Sequence, residues 1–139
     1  MDLITLLKIE HAVFKVRFSL MYKLPDDAFW DEFSALHRFV VDVHARAEDL
    51  YVFPLFPEKE IHPYAADHKL IQSLGDYILR EKDRRRFERY VAVVTYHNDH
   101  EELEVFPKVG RHIPVALDVI ERYGAENYVK FVGLDPRRF

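Results

Sequence analysis

Apolar residues recur along this chain at spacings of three and four, the period of an amphipathic helix and not the alternation of a strand. Four long stretches carry the pattern. The first runs from about Leu3 to Tyr22 and stops ahead of Pro25. The second starts near Asp26 or Asp27, acids placed to cap it before Phe29, Trp30 and Phe33, and extends to about Phe53. Pro54, Pro57 and Pro63 bracket a turn, with Pro63 expected at the first position of a third helix that reaches about Arg80. Asp83 is expected to cap a fourth, which continues to Val105 before Pro107. Beyond Pro114 a shorter helical segment, broken at Gly124, leads to the Gly133-Leu-Asp-Pro136 tail. The expectation is an all-α fold in one domain over 1–139. It consists of an antiparallel up-down-up-down four-helix bundle over about 3–107 and a short C-terminal helical extension over 114–132.

Two of these helices contain the same phrase. His44-Ala-Arg-Ala-Glu48-Asp-Leu-Tyr-Val-Phe-Pro54 returns as His97-Asn-Asp-His-Glu101-Glu-Leu-Glu-Val-Phe-Pro107, 53 residues later and in register. Each copy puts an imidazole and a carboxylate four residues apart, so both project from one helical face. At 100° per residue, Phe33, Val40, Glu48 and Tyr51 lie within about 40° of His44, and Tyr90, Val93 and Glu101 within about 40° of His97. The first and third helices each add one inward histidine. His11 shares its direction with Ile4, Leu7 and Phe18; His68 shares its direction with Ile61, Tyr64, Gly75 and Leu79. A buried carboxylate costs several kcal/mol unless it is neutralised. Lys15 is the clearest basic candidate near these inward stripes, and one lysine does not offset two glutamates. Four inward imidazoles with two inward carboxylates therefore read as a metal site of His11, His44, Glu48, His68, His97 and Glu101.

The remaining histidines sort differently. His37 points inward but lies roughly 10 Å along the axis from His44, which suits a supporting or core role. His100 falls on the flank, and His62 and His112 sit beside prolines at helix ends, where surface placement is expected. Glu104 points inward near the end of the bundle and is not assigned as a ligand. The Phe-Pro pairs at 53–54 and 106–107 are helix terminators.

Composition narrows the chemistry. There is no cysteine, which excludes disulfides, thiolate zinc sites, iron–sulfur ligation and thiol catalysis, so any metal is held by nitrogen and oxygen. Iron, manganese and zinc all fit such donors. Six protein donors do not fill two six-coordinate ions, and that leaves room for a small ligand. A net charge of −4 gives no electrostatic case for nucleic acid. The basic run Arg84-Arg85-Arg86 is flanked by Asp83 and Glu88 on a solvated face. No stretch is apolar for long enough to span a bilayer, and the amino terminus lacks the basic head of a signal peptide, so a cytoplasmic location is expected.

The order of lone His, His-x-x-x-Glu, lone His, His-x-x-x-Glu on successive helices, with Phe-Pro after each pair, resembles the haemerythrin-like family, in its HHE cation-binding branch. The resemblance covers about Leu3 to Pro107. It implies a non-haem di-iron centre held by His11, His44, His68 and His97, bridged by Glu48 and Glu101 and cycling between ferrous and ferric forms. Oxygen-carrying members of the family have His-x-x-x-His on the third helix and an Asp five residues after the last His. Here those positions hold Gln72 and Glu102, which disfavours reversible oxygen carriage. The iron–sulfur repair members carry an extra cysteine-bearing segment that has no counterpart here. Two function classes stay open. One is a protein that binds or senses oxygen, nitric oxide, peroxide or iron itself; the other is an enzyme that reduces peroxide or nitric oxide with an external electron donor of unknown identity. For the segment after Pro114, with Leu117, Val119, Ile120, Tyr128 and Phe131, a lid on the bundle and a homodimer contact are both open.

Overall fold

The computed structural model describes residues 1–139 and is helical throughout, without a strand. Six α-helices follow in order: α1 Leu3–Met21, α2 Asp26–Phe39, α3 Glu58–Glu81, α4 Phe87–His100, α5 Ala116–Tyr123 and α6 Ala125–Val132. Packing runs α1 on α2, α2 on α3, α3 on α4, and α4 back on α1. The first four helices thus close on themselves around a shared interior. That interior is aromatic: Phe14, Phe29, Phe33, Phe39, Phe87 and Tyr90 are all buried, with Phe29 and Phe87 ring centroids 5.0 Å apart, edge to face. No helix is long and apolar enough to cross a membrane.

The expected helix boundaries hold with corrections. Asp26 does not cap α2; Pro25 occupies that position, and Asp26 and Asp27 fall inside the first turn, where their charge favours the amino-terminal end of the dipole. Pro63 does not begin α3. The helix starts five residues earlier at Glu58, after Pro57, and carries Pro63 within it. The carbonyl that Pro63 leaves without a partner belongs to Lys59, which is exposed and free to bond to water. Asp83 makes no capping bond; it pairs with Arg86 and precedes a short 3-10 turn, Arg84–Arg86, ahead of α4.

The largest departure lies in the two helices that carry the repeated phrase. After Phe39 the chain stays helical but widens into π turns over Val40–Ala45 and Glu48–Val52, then tightens to 3-10 over Phe53–Leu55. After His100 it does the same, π over Glu101–Val105 and 3-10 over Phe106–Lys108. A π turn is rare and usually appears as a single turn at a functional position.

The C-terminal segment packs onto the four helices. Tyr128 and Phe131 are buried in the common core, and Phe131 stacks on Phe39 at 4.2 Å between centroids. Arg17 of α1 donates to the Phe131 carbonyl. Asp2 accepts from the Ile113 amide at 2.7 Å, tying the approach to α5 against the start of α1. Gly124, at φ 100°, makes the break between α5 and α6 that no other residue adopts without strain.

Candidate metal centre

All six residues singled out from the sequence converge in the interior. Their ligand atoms form two overlapping groups, His11, His44, Glu48 and Glu101 on one side and Glu48, His68, His97 and Glu101 on the other. Within each group the atoms lie within 4.8 Å of one another, a spacing that could hold a metal ion. Glu48 and Glu101 belong to both groups and are wholly buried. One Glu48 oxygen lies 3.5 Å from His44 Nε2, and the other lies 2.9 Å from His68 Nε2. Glu101 Oε1 sits 3.5 Å from His11 Nε2 and 3.3 Å from His97 Nε2. Each carboxylate therefore stands between two imidazoles. Lys15, the basic alternative, is no part of this interior: it is exposed and pairs with Asp99 at 3.0 Å.

The backbone departs from α geometry where the carboxylates stand. Glu48 and Glu101 are the first residues of their π segments, and His44 lies within the third. The widened turns fall on the ligand-bearing stretches and nowhere else in the chain.

Four atoms at the centre are buried with no hydrogen-bond partner: Glu48 Oε2, His97 Nε2 and both oxygens of Glu101. Leaving a buried polar atom unpaired costs about 1–3 kcal/mol, and more when it is charged. Four of them clustered in one place fit a cation that the chain itself does not supply. The imidazoles agree. His11 Nε2 and His44 Nε2 face each other at 3.0 Å. Two donors at right angles on one ion with bonds of roughly 2.1 Å stand about 3 Å apart.

A second layer was not anticipated. Each of the four imidazoles has its Nδ1 against a carboxylate: His11 on Glu102 at 2.7 Å, His44 on Glu10 at 2.8 Å, His68 on Asp49 at 2.9 Å and His97 on Asp67 at 3.0 Å. All four rings are thereby turned so that Nε2 points to the centre. A carboxylate on the far nitrogen fixes tautomer and orientation and raises the basicity of the metal-facing one. Every one of these acids sits next in sequence to a central residue, in Glu10-His11, Glu48-Asp49, Asp67-His68 and Glu101-Glu102. Each nevertheless serves an imidazole on a different helix. Glu10 has a further partner, since the buried Tyr128 hydroxyl donates to its other oxygen.

The electrostatics follow from this crowding of acids. Burial by itself would lower the pKa of His44, but the nearby charge of Glu48 and the hydrogen bond and charge of Glu10 outweigh it and push it up to about 10. Against the same burial, Asp49 and Glu48 push His68 up to about 9, and Asp67, Glu101 and Glu48 push His97 up to about 12. Glu48 is held well below the ordinary carboxylate range, because the imidazoles of His44, His68 and His97 overcome its desolvation. The surrounding acids thus favour the protonated, cationic form of these three rings in the metal-free chain.

The other candidates fall outside the centre. His37 is buried between Tyr90, 2.8 Å from its Nδ1, and Asp76, 3.0 Å from its Nε2, as its axial offset implied. His62 and His112 are exposed, and His100 is half-buried on the Tyr96 carbonyl. Glu104 is exposed and accepts from the Tyr64 hydroxyl. Gln72 is exposed and belongs to neither donor group. Compared with protein-family models, with curated proteins and with solved structures, the chain finds no match in any of the three.

Proposed function

We propose that the chain is a haemerythrin-like four-helix bundle that holds two iron ions and binds or senses a small ligand: oxygen, nitric oxide or peroxide. The observation that carries this reading is the cluster of four unpartnered ligand atoms on Glu48, His97 and Glu101 inside two overlapping donor groups. His11 and His44 would serve one ion, His68 and His97 the other, with Glu48 and Glu101 shared between them. Bound there, iron would supply one-electron redox chemistry and an open position for the small ligand. Manganese and zinc suit the same donors.

The second layer supports the up-down-up-down arrangement. On α1 and α3 the orienting acid precedes the inward residue by one position, and on the two π-bearing helices it follows by one. One residue is a turn of about 100°, taken backward on one pair and forward on the other. Both reach the next helix in the same rotational sense only if successive helices run in opposite directions.

The residues have distinct tasks. Glu10, Asp49, Asp67 and Glu102 orient the imidazoles; Phe14 and Phe106 pack against His44 and His11 and give that side of the centre an apolar wall. A cavity that opens beside His68 and His97 favours a second reading, donor-dependent reduction of peroxide or nitric oxide, because it gives a product a way out. Metal analysis of protein made in iron-replete cells should find close to two irons per chain. A reversible absorption change with oxygen or nitric oxide supports binding, donor-dependent consumption supports turnover, and well under one iron per chain refutes both.

A further inference from the structure

A cavity of about 610 Å³ opens between the stretch that continues α2 and the middle of α3, and its inner end is formed by His44, His68 and His97. That volume is some twenty times the roughly 30 Å³ that a water molecule occupies in the liquid. A diatomic or a peroxide needs a small fraction of it. The volume falls in the range of about 300–1,000 Å³ typical of sites for organic ligands. Phe14, Val40, Ile71 and Val94 make the deep wall hydrocarbon. Asn98, only 4% exposed, also lines the cavity, and its amide is paired with no other group of the chain. The amide is not among the sealed, unpartnered atoms of the interior, so water reaches it through the cavity and a ligand there could take that water's place. At the mouth, Arg46 comes from one side and Lys69 from the other, both exposed and neither paired with an acid of the chain. Two acids share the rim; Asp49 is taken up by His68, which leaves Asp42 against the two cations.

We propose that this cavity binds a small organic carboxylate with an aromatic or branched hydrocarbon body, seated against the metal centre. The carboxylate lies at the mouth between Arg46 and Lys69, the body packs on Phe14, Val40, Ile71 and Val94, and the Asn98 amide meets a polar atom at the inner end. Proximity to metal rests on the function proposed above; the cavity and its polar groups do not.

The test uses the full chain loaded with iron or with zinc, and 4-fluorobenzoate as probe, followed by fluorine NMR. Saturable binding is expected to both forms, with extra line broadening in the iron form from paramagnetic proximity. Neutral 4-fluorobenzyl alcohol should bind at least about tenfold more weakly, the loss expected for one charge-assisted hydrogen bond. Arg46→Glu combined with Lys69→Glu, both on the surface, should weaken the carboxylate by a similar factor and leave the alcohol unchanged. Asn98→Ala should weaken both probes, with circular dichroism and metal content confirming an intact fold. Absence of saturable binding at full metal loading overturns the cavity proposal and leaves the metal reading standing. Charge-sensitive binding to a chain that takes up no metal does the reverse.

Discussion

At the scale of single residues, the centre depends on which atoms have nowhere else to turn. Glu48 and Glu101 are wholly buried, and three of their four oxygens lack a partner. Glu48→Gln together with Glu101→Gln keeps the shape and removes both charges, so metal content measured by elemental analysis should fall to near background. The orienting acids have a milder effect. Asp67→Asn should weaken metal affinity by about 10–100-fold, the range found when such supports are lost, in a competition titration with a chelator. A residue away from the centre separates packing from metal chemistry. A Cβ at Gly75 would stand 2.0 Å from the His37 ring, which is itself pinned by Tyr90 and Asp76. Gly75→Ala should therefore destabilise by at least about 1–3 kcal/mol in denaturant unfolding while leaving metal stoichiometry at its native value.

At the scale of elements, the inward direction of His11, His44, His68 and His97 was legible from spacing alone, because a 3.6-residue period fixes direction before any partner is known. The π turns were not legible. A period of 100° per residue presumes the α geometry, and no spacing in the sequence marks the widened turns at Val40–Ala45, Glu48–Val52 and Glu101–Val105. Lys15 was misjudged for the opposite reason: its long stem reaches Asp99 at the surface, which a directional argument at the Cα does not register. The orienting acids had a signal that went unused. A residue adjacent to an inward one is turned about 100° to the flank, toward the neighbouring helix, and Glu10, Asp49, Asp67 and Glu102 all hold that position. The π turns predict a distinct failure. Deleting the exposed Asp42 from Val40–Ala45 would swing His44 and Glu48 by roughly 100° relative to Phe29 and Phe33. The expected outcome is loss of metal and a lower melting temperature together, whereas Asp42→Ala should change neither.

At the scale of the whole molecule, protons and metal compete for one interior. In the metal-free chain His44 and His68 have folded pKa values of about 10 and 9, above the ordinary 6.5. A raised value means that the stabilisation is complete below pH 6.5 and is lost as pH climbs through 9 and 10. Metal binding runs the other way, since it requires the imidazoles to give up those protons. The difference in melting temperature between metal-loaded and chelated protein should thus widen steadily from pH 6.5 to 9, followed by circular dichroism. A gap that narrows over that span would show that the protons lie elsewhere.

The four acid–imidazole contacts also have a topological consequence. Glu10 links α1 to the second helix, Asp49 links that helix to α3, Asp67 links α3 to α4, and Glu102 returns to α1. The braces form a closed hoop, and two of them cross the Phe56–Pro57 junction between the chain's halves. Severed at that loop, each fragment would keep one His-x-x-x-Glu pair and one internal brace, and each would hold the acid that its counterpart's loose imidazole lacks. The severed protein should behave as a lock whose two pieces fasten only when the cation is turned in it.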